Sequence, residues 1–543
     1  MMRRADAATP SRSMILVWLT ALLVPLASGC AQRPGVAATG GAITLALRDS
    51  FATFDPAFAW DPQQAPFLRL VHEGLVAFDD SGRVVPACAD RWQVVDGGRT
   101  IRFELRAGLR DASGAPVTAD DFARGIARLF RPGALRSPGA PQFAALVGAL
   151  EQGTRRMPPL GVEAPDARTL VLRLAWPDPF LLEKLAQPRY ALPAADSGTT
   201  RTNGPYRLER EGTAYLFVRD RAWGGGLDAA DARRFRAGEL DTIRVLTGVP
   251  ARRALLGLES GRIDLLWPVP LEYRVRLLRG DRFGHVEAGA DPPLVWHLVL
   301  NGELAPTARR EARRGIALAV NRAHLPEELG DWVTPWRSFT SVGAAGEAVA
   351  PGYDPDQARV ALEAARYFTG VRLPVHVVRG GATAAGLEAL VPALARGAVQ
   401  VDAVARPRAA WTREVAARRG AVAALLPWQA PARDGLDELA ALFLNRGLGS
   451  GWAGNWAGYH PGPGLDSLLL RGLRETDPVV RAALRDRVGT LLASDLPLVP
   501  LARVADAAVF RPEIGGVRFH PRGGLDLASV RRLAPPPSLT GSR

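Results

Sequence analysis

Apolar and polar residues alternate in short runs along the chain, and these runs predict β-strands. Ile101, Phe103 and Leu105 alternate with charged residues, so one face of this strand is expected in a core and the other in water. The turn Asp96-Gly97-Gly98 joins it to a strand near Trp92 as a hairpin. Strand-like runs also occupy 43–47, 75–78, 84–85, 169–174, 217–219, 243–246, 263–266, 294–300, 373–378 and 498–501.

Between these runs the apolar residues recur at three and four positions, which predicts helices. Thr118 precedes Phe122, Ile126 and Leu129, and its hydroxyl oxygen can accept from the free amides of a first helical turn. Asp354-Pro355 opens another helix. Helical patterns also cover the start of 63–78 and residues 252–259, 310–320, 387–395, 465–471 and 479–492. Short strands that alternate with helices, without an internal repeat, predict an α/β architecture in at least two lobes.

Composition narrows the class of protein. The chain has 543 residues, of which 47% are hydrophobic and 23% charged, so it is too long for one domain and able to bury large cores. Cys30 and Cys88 are its only cysteines, which excludes a disulfide framework and a zinc site built on paired cysteines. The net charge of +13 is small beside 68 basic and 55 acidic residues, and we expect no nucleic-acid partner. Lys184 is the only lysine and follows no glycine-rich loop, which excludes a phosphate-binding P-loop.

The N-terminus has the pattern of an export signal. Arginines precede the uncharged stretch from Met14 to Leu26, which would reach about 20 Å as a helix, too short for a bilayer core of about 30 Å. Leu26-Ala27-Ser28-Gly29-Cys30 resembles the lipobox of bacterial lipoproteins, although the leucine stands four rather than three positions before the cysteine. The resemblance implies that residues 1–29 are removed, that Cys30 carries acyl chains, and that 30–42 form a tether. A signal peptide that merely ends at a cysteine is the alternative.

A series of motifs resembles one family of transport receptors. The motifs are His72–Phe78, Gly82–Ala87, Trp92–Gly97, Phe103–Gly108, Pro116–Asp121, Asn203–Tyr206, Leu258–Asp264, Ala317–Arg322, Tyr353–Ala358 and Asp495–Leu501. In this order, from about Ile43 to Leu533, they are similar to the family 5 extracellular solute-binding proteins, the peptide and nickel receptors of bacterial ATP-binding-cassette importers.

The resemblance implies a two-lobed periplasmic-binding-protein-like fold of type II, with crossing strands between the lobes and an extra domain inserted in the first. We expect lobe I at 43–72, 200–295 and 500–535, the insert at 73–199, lobe II at 296–499, and a C-terminal tail at 536–543. It also implies a permease and its ATPase as partners, and a lipid-anchored position on the periplasmic or extracytoplasmic face. We expect a monomer.

The family motif for peptide recognition departs from its usual form here. Peptide-binding relatives place an aspartate three residues after a tryptophan, against the α-ammonium group of the peptide. The aligned stretch begins at Trp428 and has Pro431 at the position of that aspartate. Proline supplies neither charge nor a backbone donor, so a buried ammonium group would lose its counterion at a cost of several kcal/mol. Asp434 is the candidate replacement, and a loop carboxylate paired with Arg433 is the alternative.

Other ligand-binding candidates follow from the same resemblance. Arg379 lies near the position where some relatives hold a ligand carboxylate, although a surface arginine is equally consistent with the sequence. Asn455, Trp456 and Tyr459 belong to a stretch that resembles the aromatic segment of the family's cleft. We expect Trp428, Trp456 and Tyr459 to line this cleft. Tryptophans packed in a lobe core are the competing interpretation.

Enzyme and metal chemistry have little support in the residue pattern. No serine has glycines two places on either side, and no two of the 7 histidines have helical metal-ligand spacing. We therefore expect no catalytic residue, no cofactor and no metal, and a peptide or peptide-like solute as ligand. A receptor for an opine, sugar, haem or chelated nickel is the alternative, and a secreted hydrolase a more distant one.

Overall fold

The structure, a computed structural model, describes residues 40–533 apart from 52, 60–61, 131–138, 153–157, 192–200, 224–237, 289–292, 345, 418–420, 431, 445–454 and 456. Its strands are Ala42–Ala46 (β1), Val76–Phe78 (β2), Val84–Pro86 (β3), Ala89–Val95 (β4), Thr100–Leu105 (β5), Val162–Glu163 (β6), Thr169–Arg173 (β7), Tyr206–Glu211 (β8), Ala214–Arg219 (β9), Thr242–Leu246 (β10), Leu265–Leu266 (β11), Gly284–Ala288 (β12), Leu294–Leu300 (β13), Val333–Pro335 (β14), Val371–Val378 (β15), Val399–Arg406 (β16), Ala423–Gln429 (β17), Leu498–Val504 (β18), Asp506–Phe510 (β19), Ile514–Gly515 (β20) and Arg531–Arg532 (β21). Its helices are Ala65–Val71 (α1), Ala119–Arg128 (α2), Leu181–Leu185 (α3), Ala251–Glu259 (α4), Leu271–Leu278 (α5), Arg310–Leu318 (α6), His324–Leu329 (α7), Pro355–Ala364 (α8), Ala382–Arg396 (α9), Arg408–Ala417 (α10), Gly435–Phe443 (α11), Pro463–Arg474 (α12) and Pro478–Asp495 (α13).

Two large sheets form the two lobes that the sequence predicted. The sheet of lobe I has seven strands in the order β12-β19-β11-β1-β10-β9-β8, and β1 runs parallel to both of its neighbours. The sheet of lobe II has six strands in the order β14-β18-β13-β17-β15-β16. Ile43 and Leu45 of β1, which overlaps the strand predicted at 43–47, are buried in the core of lobe I. The α/β fold class is therefore confirmed.

The insert carries its own four-stranded sheet, β4-β5-β7-β6. Ile101, Phe103 and Leu105 are buried on one face of β5, while Arg102 between them is exposed, which confirms the alternation. Helix α2 begins directly after Thr118, whose backbone amide donates to the Asp121 carboxylate at 2.8 Å.

The chain passes between the two large sheets at two adjacent places. One crossing lies between β12 and β13, and the other is the single residue Ala505 between β18 and β19. The crossings are neighbours because Ala288 of β12 is paired with Asp506, and Leu294 of β13 with Val504. β18 stays in the sheet of lobe II as far as Val504, whereas we expected the last segment of lobe I to begin at residue 500.

The family motif around Asn203 fixes the place where the chain returns from the insert to lobe I. The amides of Asn203 and Gly204 both donate to the Val71 carbonyl at the end of α1, at 3.0 Å. The Asn203 side chain also accepts from the Glu73 amide and donates to its carbonyl. A Cβ on Gly204 would lie 2.6 Å from the Val71 carbonyl carbon, so glycine is required for this close approach.

A buried ion cluster joins the insert to lobe II. Lys184 of α3 is 2% exposed, and its Nζ donates to Asp178 of the insert at 2.8 Å and to Asp437 of α11 at 2.7 Å. Burial favours the neutral amine, but the two carboxylates outweigh it and raise the pKa of Lys184 above its usual value. The sole lysine of the chain is therefore a charged, buried link between two parts of the fold.

We expect Lys184→Met to lower the free energy of unfolding by about 3–5 kcal/mol, because the substitution leaves two buried carboxylates without their cation. Urea unfolding followed by circular dichroism measures this change. The matched control is Arg83→Met, which removes an exposed pair with Asp79 and should cost at most about 1 kcal/mol. Equal losses in the two variants would contradict the assigned role of Lys184.

Candidate functional site

Two adjoining cavities lie in the cleft between the lobes. The first, cavity A, has a volume of about 130 Å³ and is lined by Ala46 to Phe51 of lobe I and by Gly380 to Ala382 of lobe II. The second, cavity B, has a volume of about 120 Å³ and extends to the hinge residue Ala505. Gln63, Pro268, Val269, Leu271, Gly381, Ala382 and Arg408 line both cavities. Because they share these residues, the two cavities form one continuous cleft that is lined from both lobes.

Polar contacts join the lobes beside cavity A. Arg48 of lobe I donates to the Gly380 carbonyl of lobe II. Arg408 of lobe II pairs with Asp49 of lobe I, with its Nε 3.3 Å from the Asp49 carboxylate. Both members of this pair are only partly exposed, at 17% and 24% of their side chains, so water screens the attraction incompletely. Such contacts form only when the lobes approach, and they stabilise the closed arrangement.

Three tryptophan side chains line cavity B, of which Trp267 and Trp296 are each 1% exposed. Trp267 belongs to lobe I, whereas Trp296 and Trp332 belong to lobe II. The rings of Trp296 and Trp332 meet edge to face, with their centroids 6.2 Å apart. Large aromatic surfaces in a concave site favour a ligand with an apolar body.

Two charged groups also line cavity B: Arg274, which is buried, and Asp506, which is partly exposed. The Asp506 carboxylate accepts from the Trp267 indole at 2.7 Å and from the Ala507 amide at 2.9 Å, and burial raises the pKa of Asp506 to about 6. The Arg274 guanidinium stacks over Trp332 at 4.3 Å from the ring centre, and burial lowers its pKa. Cavity B therefore combines apolar walls with a cation and an acid close to the hinge.

Trp428, one of the predicted ligand-binding residues, lies on β17 but faces away from cavity B. Pro427 and Gln429 on either side of it line that cavity, and successive side chains of a strand point to opposite faces. The Trp428 indole instead approaches Glu438 of α11, whose carboxylate also accepts from the amide and hydroxyl of Ser341. Burial raises the pKa of Glu438 to about 7.

Asp434 is the N-cap of helix α11. Its Oδ1 accepts from the Asp437 amide at 2.9 Å and from Nη2 of Arg481 at 2.5 Å. The carboxylate is thus engaged by the first turn of α11 and by Arg481 of α13. A ligand contact of Asp434 stays a prediction.

Asn455 and Tyr459 lie next to each other in lobe II and are hydrogen-bonded to each other. The Asn455 side chain donates to the Tyr459 carbonyl at 2.8 Å and accepts from its amide at 3.0 Å. The Tyr459 hydroxyl donates to Asp495 at 2.6 Å, and its ring meets Phe443 edge to face. Both side chains are buried, which fits packing within a lobe.

Arg379 is exposed at the end of β15, where its amide donates to the Arg406 carbonyl. It directly precedes Gly380 and Gly381, which line the cleft. Cys30, Pro431 and Trp456 lie outside the described residues. Of the candidates that the structure describes, Asn455 and Tyr459 therefore lie together. None of the described candidates lines cavity A or cavity B.

The lining residues that sequence reasoning missed carry almost no local signal. Arg274 stands in Leu-Glu-Tyr-Arg-Val-Arg-Leu-Leu, a pattern of an ordinary amphipathic helix. Thr383 follows a glycine pair at a helix start, and Asp506 follows a strand that continues into the other lobe. Only the three-dimensional arrangement brings these residues to one cavity.

The described part of the chain has neither a membrane-spanning helix nor a metal-binding cluster. None of its helices combines the length and apolar character needed to cross a bilayer. In the same residues, no group of three His, Cys, Asp or Glu side chains is placed to hold a metal ion.

Comparisons with known proteins agree with this architecture. In Escherichia coli K12, the probable deoxycholate-binding periplasmic protein YgiS is 38% identical over 140 residues, covering 25% of this chain and 26% of that protein. The periplasmic murein peptide-binding protein MppA of the same organism is 30% identical over 315 residues, covering 55% and 57%. The matches thus span between a quarter and somewhat over half of the length of these relatives.

A solved structure matches nearly the whole chain. The Haemophilus influenzae OppA complex with the peptide RPPGFSPFR superposes with a TM-score of 0.79 at 19% identity, covering 92% of this chain and 100% of OppA. This likeness confirms the two-lobed binding-protein fold. The model of bacterial extracellular solute-binding proteins, family 5, matches residues 83–443. The chain therefore belongs to family 5 of the bacterial extracellular solute-binding proteins.

Proposed function

We propose that the protein is the receptor of an ATP-binding-cassette importer. It captures a peptide or peptide-like solute between its lobes and presents it to a permease that is coupled to an ATPase. The cleft between the lobes carries this proposal, because cavities A and B are both lined from both lobes and cavity B reaches the crossing residue Ala505.

The hinge and the interlobe contacts explain how capture can be signalled. A ligand that touches both lobes adds binding energy only to the closed state, so it shifts the equilibrium towards closure. The Arg408–Asp49 and Arg48–Gly380 contacts form in the same state. A permease can then distinguish the loaded receptor by its closed surface.

Acylation of Cys30 is proposed as the anchor. The lipobox-like residues before Cys30 support removal of the signal and attachment of acyl chains. Relatives are named as periplasmic proteins, which favours an extracytoplasmic position for this chain. The protein would then act as a monomer at a membrane surface, without a catalytic residue, and its partners would be the solute and the permease.

A non-peptide solute is the second candidate. Pro431 replaces the aspartate that neutralises the ammonium group of a peptide in peptide-binding relatives, so a free amino terminus lacks its usual counterion here. The relative named for deoxycholate shows 38% identity, and that ligand has no ammonium group. A solute without a free amino terminus is therefore the specific alternative.

Ligand panels separate the two candidates. We expect a ligand present at 100 times its dissociation constant to raise the free energy of unfolding by about 2.7 kcal/mol. Thermal and chemical unfolding of the full chain would be measured with di- to pentapeptides, N-acetylated peptides and deoxycholate. Stabilisation only by compounds without a free amino group favours the second candidate. No stabilisation by any solute class would contradict a receptor function.

Pro431→Asp should create affinity for peptides with a free amino terminus, since it restores a carboxylate at the expected position. A charge-assisted hydrogen bond corresponds to about a tenfold gain or more over the parent chain. Pro431→Asn is the matched control without charge. Isothermal titration with free and N-acetylated forms of one peptide measures the effect, and equal affinities for both forms would disprove this interpretation of position 431.

Arg408→Gln should weaken the closed state, because it removes the ion pair with Asp49 across the cleft. The expected loss of ligand affinity is about fivefold, which corresponds to about 1 kcal/mol. The control is Arg372→Gln, which removes an exposed pair with Asp402 inside lobe II. Small-angle scattering of the two variants with ligand measures closure, and identical behaviour of both would show that the interlobe pair is unimportant.

A further inference from the structure

Arg274 is a buried cation with few partners. Its side chain is 5% exposed, yet within the described residues no hydrogen bond reaches its Nε. Its Nη2 donates to the Ala505 carbonyl at the long distance of 3.4 Å. A guanidinium group has five N–H donors, so most of the hydrogen-bonding capacity of Arg274 is unused.

The acids near Arg274 compensate its charge only weakly, so an additional anion would be attracted to it. Glu287 is 43% exposed and lies 3.8 Å from Nη2 of Arg274, which is a loose contact. Asp506 also attracts Arg274, but its two oxygens accept from Trp267 and from the Ala507 amide. Neither acid forms the short, two-pronged pair that buried arginines prefer. Burying a cation without a close counterion costs free energy, and an anionic ligand would offset this cost.

Thr383 supplies an unpartnered hydroxyl from the opposite lobe. It lies in the first turn of α9, is 5% exposed, and lines cavity B. Within the described part of the chain, its Oγ1 has no hydrogen-bond partner. Burying such a hydroxyl without a partner costs free energy, so Thr383 is a second group that a ligand would satisfy.

We propose that cavity B binds a carboxylate carried on an apolar body, with Arg274 holding the carboxylate and the tryptophan walls holding the body. Thr383 donates a hydrogen bond to a polar group of the same ligand from lobe II. This inference rests on the proposed receptor function and specifies its ligand class as amphipathic organic acids. The ligand needs no ammonium group, in agreement with the proline at position 431.

The position of Arg274 couples this ligand to closure. Arg274 belongs to lobe I, but it stacks on Trp332 of lobe II and contacts the backbone of the hinge at Ala505. A carboxylate on Arg274 and an apolar body against Trp296 and Trp332 would therefore join both lobes at the hinge. Closure then responds directly to occupancy of cavity B.

A matched series of indole compounds tests the ligand class on the unmodified full chain. Indole-3-propionate carries the carboxylate, indole-3-propanol is its neutral analogue, and tryptamine is the corresponding amine. We expect indole-3-propionate to bind at least tenfold more tightly than the alcohol, by isothermal titration, and the amine not to bind. Deoxycholate tests a larger acid in the same way. Equal binding of acid and alcohol, or preference for tryptamine, would overturn the proposal.

Variants test the assigned residues. Arg274→Gln should lower the affinity for indole-3-propionate at least tenfold and remove the preference for the acid over the alcohol. Arg276→Gln is the matched control on the same helix, since Arg276 is 69% exposed and pairs with Glu259. Thr383→Val should lower the affinity about fivefold, whereas Thr383→Ser retains the hydroxyl and the affinity. An unchanged affinity in Thr383→Val and Arg274→Gln would overturn the proposal, and Thr383→Val decides the matter if Arg274→Gln does not fold.

The outcome also separates this inference from the receptor function. If peptides bind and induce closure in small-angle scattering but none of the acids does, the ligand class is wrong and the receptor function stands. If neither peptides nor acids bind, both proposals fail.

Discussion

The structure depends on a covalent constraint, the single residue Ala505 between a strand of lobe II and a strand of lobe I. With one residue between β18 and β19, the lobes cannot separate by translation, and their relative motion is a rotation near this crossing. The second crossing, between β12 and β13, lies beside it, because β12 is paired with β19 and β13 with β18. A rotation about adjacent crossings opens the cleft widely at its mouth while it changes the hinge end little.

Buried charges have two different roles in this fold. Lys184 is surrounded by two carboxylates at hydrogen-bonding distance, so its charge is fully compensated within the protein. Arg274 is about as deeply buried but has only distant or already engaged acids around it. The first arrangement stabilises the contact between the insert and lobe II. The second leaves a charge available in the cleft, which is typical of a binding group rather than a structural one.

The sequence predicted the fold well because local patterns and family motifs agree. The alternation in β5, the start of α2 after Thr118 and the cap of α8 by Asp354 all rest on short-range chemistry, and each is present. The cleft was harder to predict, because Arg274, Thr383 and Asp506 are far apart in sequence and only folding brings them together. Family alignment pointed instead to Tyr459, whose hydroxyl contacts Asp495.

The buried position of Lys184 has a practical consequence for labelling chemistry. An amine-reactive reagent finds, besides any free N-terminus, only this one primary amine, and the folded chain shields it with 2% exposure. Acylation of Lys184 therefore requires the junction between the insert and lobe II to come apart. The rate at which such a reagent modifies the native chain therefore reports how often this junction opens.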